Sequence, residues 1–282
     1  ARSRAPAWSC YFASIITRKV FVTTFHGTYN FKTNLKKFYN SIMLRAKLTI
    51  AGSNFIFGHI NENYSEYLNK EKKLRVIFRG INIDYFNPKN ISILKQEKLK
   101  QEWGLSSNNF TILLPGRLTY WKGQEKFIEA LNILIEDFNI TNFRAIILGS
   151  NQGRKVYSKK LINLVQRYSL NKKIKFIQHC NEMPLAYSLA DVVVSASIEP
   201  EAFGRVSVEA QSMGKPIIAS NIGGSKETII NKKTGFLYKH DDPRELAKIL
   251  NTVIQLSQDE LKLIGNEGRK NITKKFDVET MC

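Results

Sequence analysis

Short runs of β-branched and aliphatic residues recur along this chain, each followed by a longer stretch with apolar residues at helical spacing, and this alternation limits the fold most strongly. Runs at residues 20–24 (VFVTT), 47–51 (KLTIA), 75–78 (RVIF), 111–114 (TILL), 144–148 (RAIIL), 174–177 (IKFI), 192–194 (VVV) and 216–219 (PIIA) are expected strands. Residues 35–48, 94–103, 124–137, 185–189 and 207–213 are expected helices. Such alternation builds a parallel sheet covered on both faces, an α/β fold. The 282 residues suffice for two domains with separate cores. Gly80 and Pro88 punctuate a turn-rich segment, after which the pattern restarts at Phe110. The expected organisation is one Rossmann-like domain over residues 1–90, a second over 91–265, and a segment over 266–282 that begins a helix returning to the first.

Cys10, Cys180 and Cys282 are scattered, with no CxxC pair and no His at zinc-finger spacing, which supports neither a disulfide framework nor a structural metal and favours a reducing cytoplasm. Apolar runs fall well short of the roughly 20 residues a membrane span needs. Residues 1–10 lack an initiator Met and a basic head before a sustained apolar stretch, so no signal peptide is expected and the chain is expected to begin inside a domain. The net charge of +19 suits nucleic acid, an anionic membrane or a phosphorylated substrate. It reads equally as background, because Lys is dispersed through surface helices. Basic residues 32–47 offer a surface for anionic lipid and read also as an ordinary domain helix. Dispersed Lys, without interleaved exposed aromatics, argues against nucleic acid as a partner.

In doubly wound sheets ligands bind beyond the carboxyl ends of the strands, so the loops after Leu114, Leu148, Ile198 and Ala219 are the candidate site. The first carries Gly116, Arg117, Lys122 and Gly123, two cations suited to a diphosphate, though they also read as solvated loop charges. The second strand ends at Gly149. The third holds Glu199, Glu201, Phe203, Gly204 and Arg205 and turns at Gly204 into a helix bearing Glu209. That geometry places two carboxylates about an anion site at a helix N-terminus, where they would accept hydroxyl hydrogen bonds from a sugar or ribose. Alone, Glu209 reads first as a solvated helix residue. The fourth loop brings Gly223 and Gly224. Neither GxxxxGK[ST] nor GxGxxG occurs, which argues against ATPase and dinucleotide chemistry.

Gly116-Arg117, Lys122-Gly123, EAFG at 201–204, Glu209-Ala210, GKP at 214–216, Gly223-Gly224 and TGFL at 234–237 together resemble retaining glycosyltransferase family four (glycosyl transferases group 1), and in particular its bacterial envelope and lipopolysaccharide enzymes. The seven residues between Glu201 and Glu209 are the family's hallmark. TTFHGT at 23–28, AGS at 51–53 and RGINID at 79–84 are similar to the second half of that fold's N-terminal domain. The resemblance implies a GT-B fold of two Rossmann-like doubly wound domains, the N-terminal one incomplete, with the returning helix starting at residues 276–279. It implies transfer of a sugar from a nucleotide-sugar donor to an envelope glycan or lipid-linked acceptor, at the cytoplasmic face of the cell membrane, with little transfer by this chain alone.

By the same resemblance Arg117 and Lys122, beside Gly116, bind the donor diphosphate, Glu209 the ribose, and Glu201 the hydroxyls of the transferred sugar. Phe203, Gly204 and Arg205 line the donor site near sugar and phosphates, Gly149 belongs to it, and His26 stands at the reaction centre. His59, His179 and His240 read as structural or surface residues. No Asp-x-Asp occurs and the carboxylates are explained by hydroxyl binding, so neither an essential metal nor a cofactor is expected. Two rival readings are a catalytically silent GT-B protein that binds a nucleotide or partner, and a basic nucleic-acid-binding protein.

Overall fold

The computed structural model describes residues 1–29, 31–68, 73–106 and 108–279; Cys282 and the end of the expected returning segment lie outside them. The first part contains α1 (Arg4–Thr17), β1 (Val22–Phe25), α2 (Asn34–Ser41), β2 (Leu48–Ala51), α3 (Asn54–Tyr64) and β3 (Lys73–Val76). The chain continues through α4 (Ile93–Glu102), β4 (Phe110–Pro115), α5 (Gln124–Glu136), β5 (Phe143–Leu148), α6 (Lys155–Arg167), β6 (Ile174–Ile177) and α7 (Met183–Ser188). It closes with β7 (Val192–Ser195), α8 (Arg205–Ser212), β8 (Ile217–Ser220), α9 (Ser225–Thr228), β9 (Phe236–Tyr238), α10 (Pro243–Ile254) and α11 (Gln258–Lys275). Two parallel sheets result, one in the order β1-β2-β3 and one in the order β6-β5-β4-β7-β8-β9.

The central strands of the larger sheet are apolar without alternation because both faces are covered. Ile112, Leu114, Ala145, Ile147, Val192, Val194 and Ile218 join one core. Leu113, Ile146, Leu148, Val193, Ile217 and Ala219 join the other. Each fully buried aliphatic side chain contributes about 1.5–3 kcal/mol. On the first face α10 packs against α5 through buried Leu246, Leu250 and Val253, and the Asp242 carboxylate opens α10 by accepting from Glu245 N at 3.0 Å. The smaller sheet has its own core around Phe25, Ile42, Met43, Leu44, Ile56 and Tyr64.

The helix expected over 35–48 is interrupted. α2 ends at Ser41 and residues Ile42–Arg45 form a 3₁₀ turn. Ile42, Met43 and Leu44 are all fully buried, which one face of a helix does not allow, and the Met43 carbonyl accepts from the hydroxyls of Thr23 at 2.5 Å and Thr49 at 3.1 Å. Ile81 and Phe86, which the sequence groups with the first 90 residues, pack into the core of the larger sheet. Residues 266–275 belong to α11, whose buried Gly265, Gly268 and Ile272 lie on the α8 side. Beyond α11 the chain pairs with the segment that follows β3, Ile81 N donating to Phe276 O at 2.8 Å and Val278 N to Ile81 O at 3.0 Å.

Winding carries the chain from β4 outward through β5 and β6, then back past β4 to β7. The direction reverses between β4 and β7, so a crevice opens beyond their carboxyl ends.

Candidate functional site

Two loops build that crevice. After β4 the chain passes Gly116 and Arg117 into a 3₁₀ turn, Tyr120–Lys122, that presents Lys122. The Lys122 ammonium lies 4.5 Å from the Trp121 ring centroid and the Arg117 guanidinium 6.0 Å from it, so one indole supports both cations. After β7 comes Glu201, whose Oε1 accepts from Lys122 Nζ at 2.7 Å and from Ser197 Oγ at 2.5 Å. The two charged side chains are only 13% and 10% exposed, so the pair is held by its surroundings rather than by solvent chance. No group among the described residues bonds Glu201 Oε2. Glu199 is exposed, and the structure therefore selects Glu201 as the organised carboxylate of this loop.

Gly204 adopts φ 84°, a left-handed conformation that favours glycine, and α8 starts directly after it at Arg205, two residues before the expected Ser207. Its first turn leaves amide donors at the cavity edge. One turn on, Glu209 is 8% exposed rather than solvated. Its Oε1 accepts from Arg205 Nη2 at 2.7 Å and its Oε2 from Tyr187 OH at 2.8 Å. Full burial, then the adjacent carboxylate, pushes the Tyr187 phenol well above its ordinary pKa, so it remains a donor.

From the smaller sheet, His26 follows β1 and faces these loops. Burial first, then Arg79 and Arg2, hold its pKa down at about 4. The imidazole is neutral near pH 7. Arg2 Nε donates to Nε2 at 3.1 Å, which assigns the ring proton to Nδ1, an atom that is buried without a partner among the described residues.

A cavity of about 690 Å³ brings together His26, Gly116, Arg117, Lys122, Glu201, Phe203, Gly204 and Arg205. Glu209 lines a neighbouring cavity of about 390 Å³. Gly149 lines neither. A Cβ there would overlap Gly116 O, so its part is to let the two strand-end loops approach. The sequence reading did not single out Arg79, Ser197, Trp121 or Tyr187. Arg79 and Trp121 stand inside motifs that were legible, and Ser197 precedes Glu201 closely, but nothing local marks Tyr187, whose partner lies 22 residues on.

The two sheets meet beside this cavity. Ser53 Oγ donates to Ala202 O at 2.5 Å. The Glu227 carboxylate caps α3, accepting from Asn54 N at 2.8 Å and Phe55 N at 2.6 Å. Gly224 N donates to Glu201 O at 2.7 Å, tying that capping segment to the Glu201 loop. Among the described residues no three His, Cys, Asp or Glu side chains gather as metal ligands.

A parallel-sheet pair with a cation-rich crevice at its switch point defines a class, GT-B proteins, and comparison with known proteins places the chain within it. Residues 95–271 match the family model of glycosyl transferases group 1, and the chain belongs to that family. It is 28% identical over 206 residues to D-inositol 3-phosphate glycosyltransferase of Corynebacterium glutamicum (strain R), covering 72% of this chain and 48% of that protein. The chain spans about half the length of the curated relatives it matches. A glycosyltransferase from Rickettsia africae ESF-5 is 39% identical, with TM-score 0.89 over 99% of this chain and 72% of that one. Anabaena Alr3699/HepE in complex with UDP and glucose is 28% identical, with TM-score 0.87 over 99% and 74%. The fold is that of GT-B glycosyltransferases.

Proposed function

We propose that the protein is a retaining glycosyltransferase that moves a sugar from a nucleotide-sugar donor to an envelope glycan or lipid-linked acceptor. The observation that carries this reading is the single cavity holding Arg117, Lys122, Glu201 and His26, with Glu209 in the cavity beside it. Bond breaking between sugar and diphosphate develops negative charge on the leaving group, and Arg117 with Lys122 answers that charge. Glu201 accepts from sugar hydroxyls through Oε2, Glu209 from the ribose, and neutral His26 bonds the sugar on the acceptor side. The acceptor hydroxyl attacks from the leaving-group face and its proton passes to the departing phosphate, so neither an enzymic base nor an essential metal is required.

The acceptor class rests on α2, where Leu35, Phe38 and Tyr39 are exposed beside Lys36, a surface suited to anionic lipid at the cytoplasmic face. No helix among the described residues is long and apolar enough to cross a membrane. Nucleic acid is not a partner in this reading.

Nucleotide release from UDP-, GDP- and ADP-sugars, with and without lipid extract, tests the proposal. Removing a preorganised donor to developing charge costs about 2.7–4 kcal/mol, so Arg117→Ala should fall by about a hundredfold or more. Glu201→Gln should fall as well. Equal turnover by both variants and the unaltered protein would defeat the site assignment.

A further inference from the structure

Arg79 follows β3 and stands at the junction of the two cavities. Its stem passes over Gly52, where a Cβ would lie 3.4 Å from Arg79 Cγ. No group among the described residues accepts a hydrogen bond from its guanidinium. The charges that act on it are Arg205 and Arg2, both of its own sign, and burial first, then those two, holds its pKa below the ordinary arginine value. A half-buried cation among like charges, without an internal acceptor, is unfavourable until an anion from outside completes it.

The position says which anion. Arg79, Phe203 and Arg205 line both cavities, and no other residue is common to them. A ligand that reaches from Glu209 in one cavity to Glu201 in the other has to pass these two guanidiniums. In a nucleotide-sugar, the part between ribose and sugar is the diphosphate. Arg205 is already held by Glu209 at 2.7 Å, whereas Arg79 has no ion-pair partner among the described residues. We propose that Arg79 grips the donor diphosphate from the wall built by the first part of the chain, completing the set begun by Arg117 and Lys122. This rests on the donor-site reading above. Donor binding would then draw the two halves of the crevice together through phosphate, with Arg79 supplying paired N–H donors that a lysine lacks.

Titration calorimetry of the 282-residue protein with UDP, GDP and ADP, and with the matching monophosphates, tests it. A hydrogen bond to a charged group is worth about 1.5–3 kcal/mol, so Arg79→Gln should weaken the best-bound diphosphate by about tenfold or more. The matching monophosphate should lose less, and Arg79→Lys should fall between. Without ligand, the thermal midpoint of Arg79→Gln should equal or exceed that of the unaltered protein, since no internal bond is lost. A clearly lower midpoint would make the guanidinium a structural group and overturn the inference. Diphosphate affinity unchanged by Arg79→Gln but reduced by Arg117→Ala would overturn it while leaving the donor site standing. Absence of binding to every nucleotide by the unaltered protein would overturn the donor-site reading, and this inference with it.

Discussion

At the scale of single residues, the site is organised by pairing that leaves selected atoms unspent. Lys122 and Ser197 both bond Oε1 of Glu201, and Arg205 and Tyr187 divide the two oxygens of Glu209. Tyr187→Phe strips a buried carboxylate oxygen of its only neutral donor, a change expected to cost about 1–3 kcal/mol. The melting midpoint should drop by about 2–4 °C per kcal/mol, and an unchanged melt would show that the hydroxyl is dispensable. His26 supplies a pH test. Its folded pKa of about 4 lies below the ordinary 6.5, so the unfolded chain takes up this proton first as pH falls. The stability contributed by the neutral imidazole is therefore intact above 6.5 and lost as pH falls toward 4. Melting midpoints followed over that range should decline less in His26→Gln than in the unaltered protein. Parallel decline would assign the acid sensitivity to other groups.

Helices and loops carry the next level of argument. The Glu227 carboxylate at the α3 N-terminus satisfies two amide donors that no helix can satisfy internally, and its charge is favourable there. Glu227→Ala should speed amide exchange at Asn54 and Phe55 and destabilise the protein by about 1–3 kcal/mol. Unaltered protection at these two amides would show that the cap is not maintained in solution. This contact also marks where sequence reading ends. Strands β4, β5, β7 and β8 were legible because nearly fully buried parallel strands leave compact aliphatic runs, and the partly exposed β1, β2 and β6 still showed as short β-branched or aromatic runs. Arg117, Lys122 and Glu201 were legible as charged residues set among glycines at strand ends. Helices α1, α3, α6, α10 and α11 went unread although α10 opens at Asp242-Pro243 and α11 at a Ser257 and Glu260 capping box, and α2 was read too long because the buried run Ile42, Met43, Leu44 continues its apolar pattern. Tyr187 and Glu227 act on partners brought near only by the fold, and Arg79 meets the cavities only there, which spacing along the chain does not encode.

For the molecule as a whole, the division of cores predicts a division of stability. Both cores of the larger sheet draw their buried members from residues 81–276, including Ile81, Phe86 and Phe276. The smaller sheet relies on a core whose buried members all lie within residues 7–64. Its contacts with the larger sheet include Ser53 on the Ala202 carbonyl and the Glu227 cap on α3. A polypeptide of residues 78–279 keeps two complete hydrophobic layers and should unfold as one cooperative unit, since burial scales with the size of the core that remains. It also keeps Arg117, Lys122, Glu201 and Glu209, so nucleotide binding should persist. Affinity should nonetheless fall, because Arg79 loses the Gly52 backbone it rests on and the cavity loses its His26 wall. Chemical denaturation followed by circular dichroism, together with nucleotide titration of the shortened and whole chains, decides the matter. A shortened chain without a cooperative transition would mean that the smaller sheet is an integral support of the larger one, and equal affinity in both chains would mean that the donor site owes nothing to the first 77 residues.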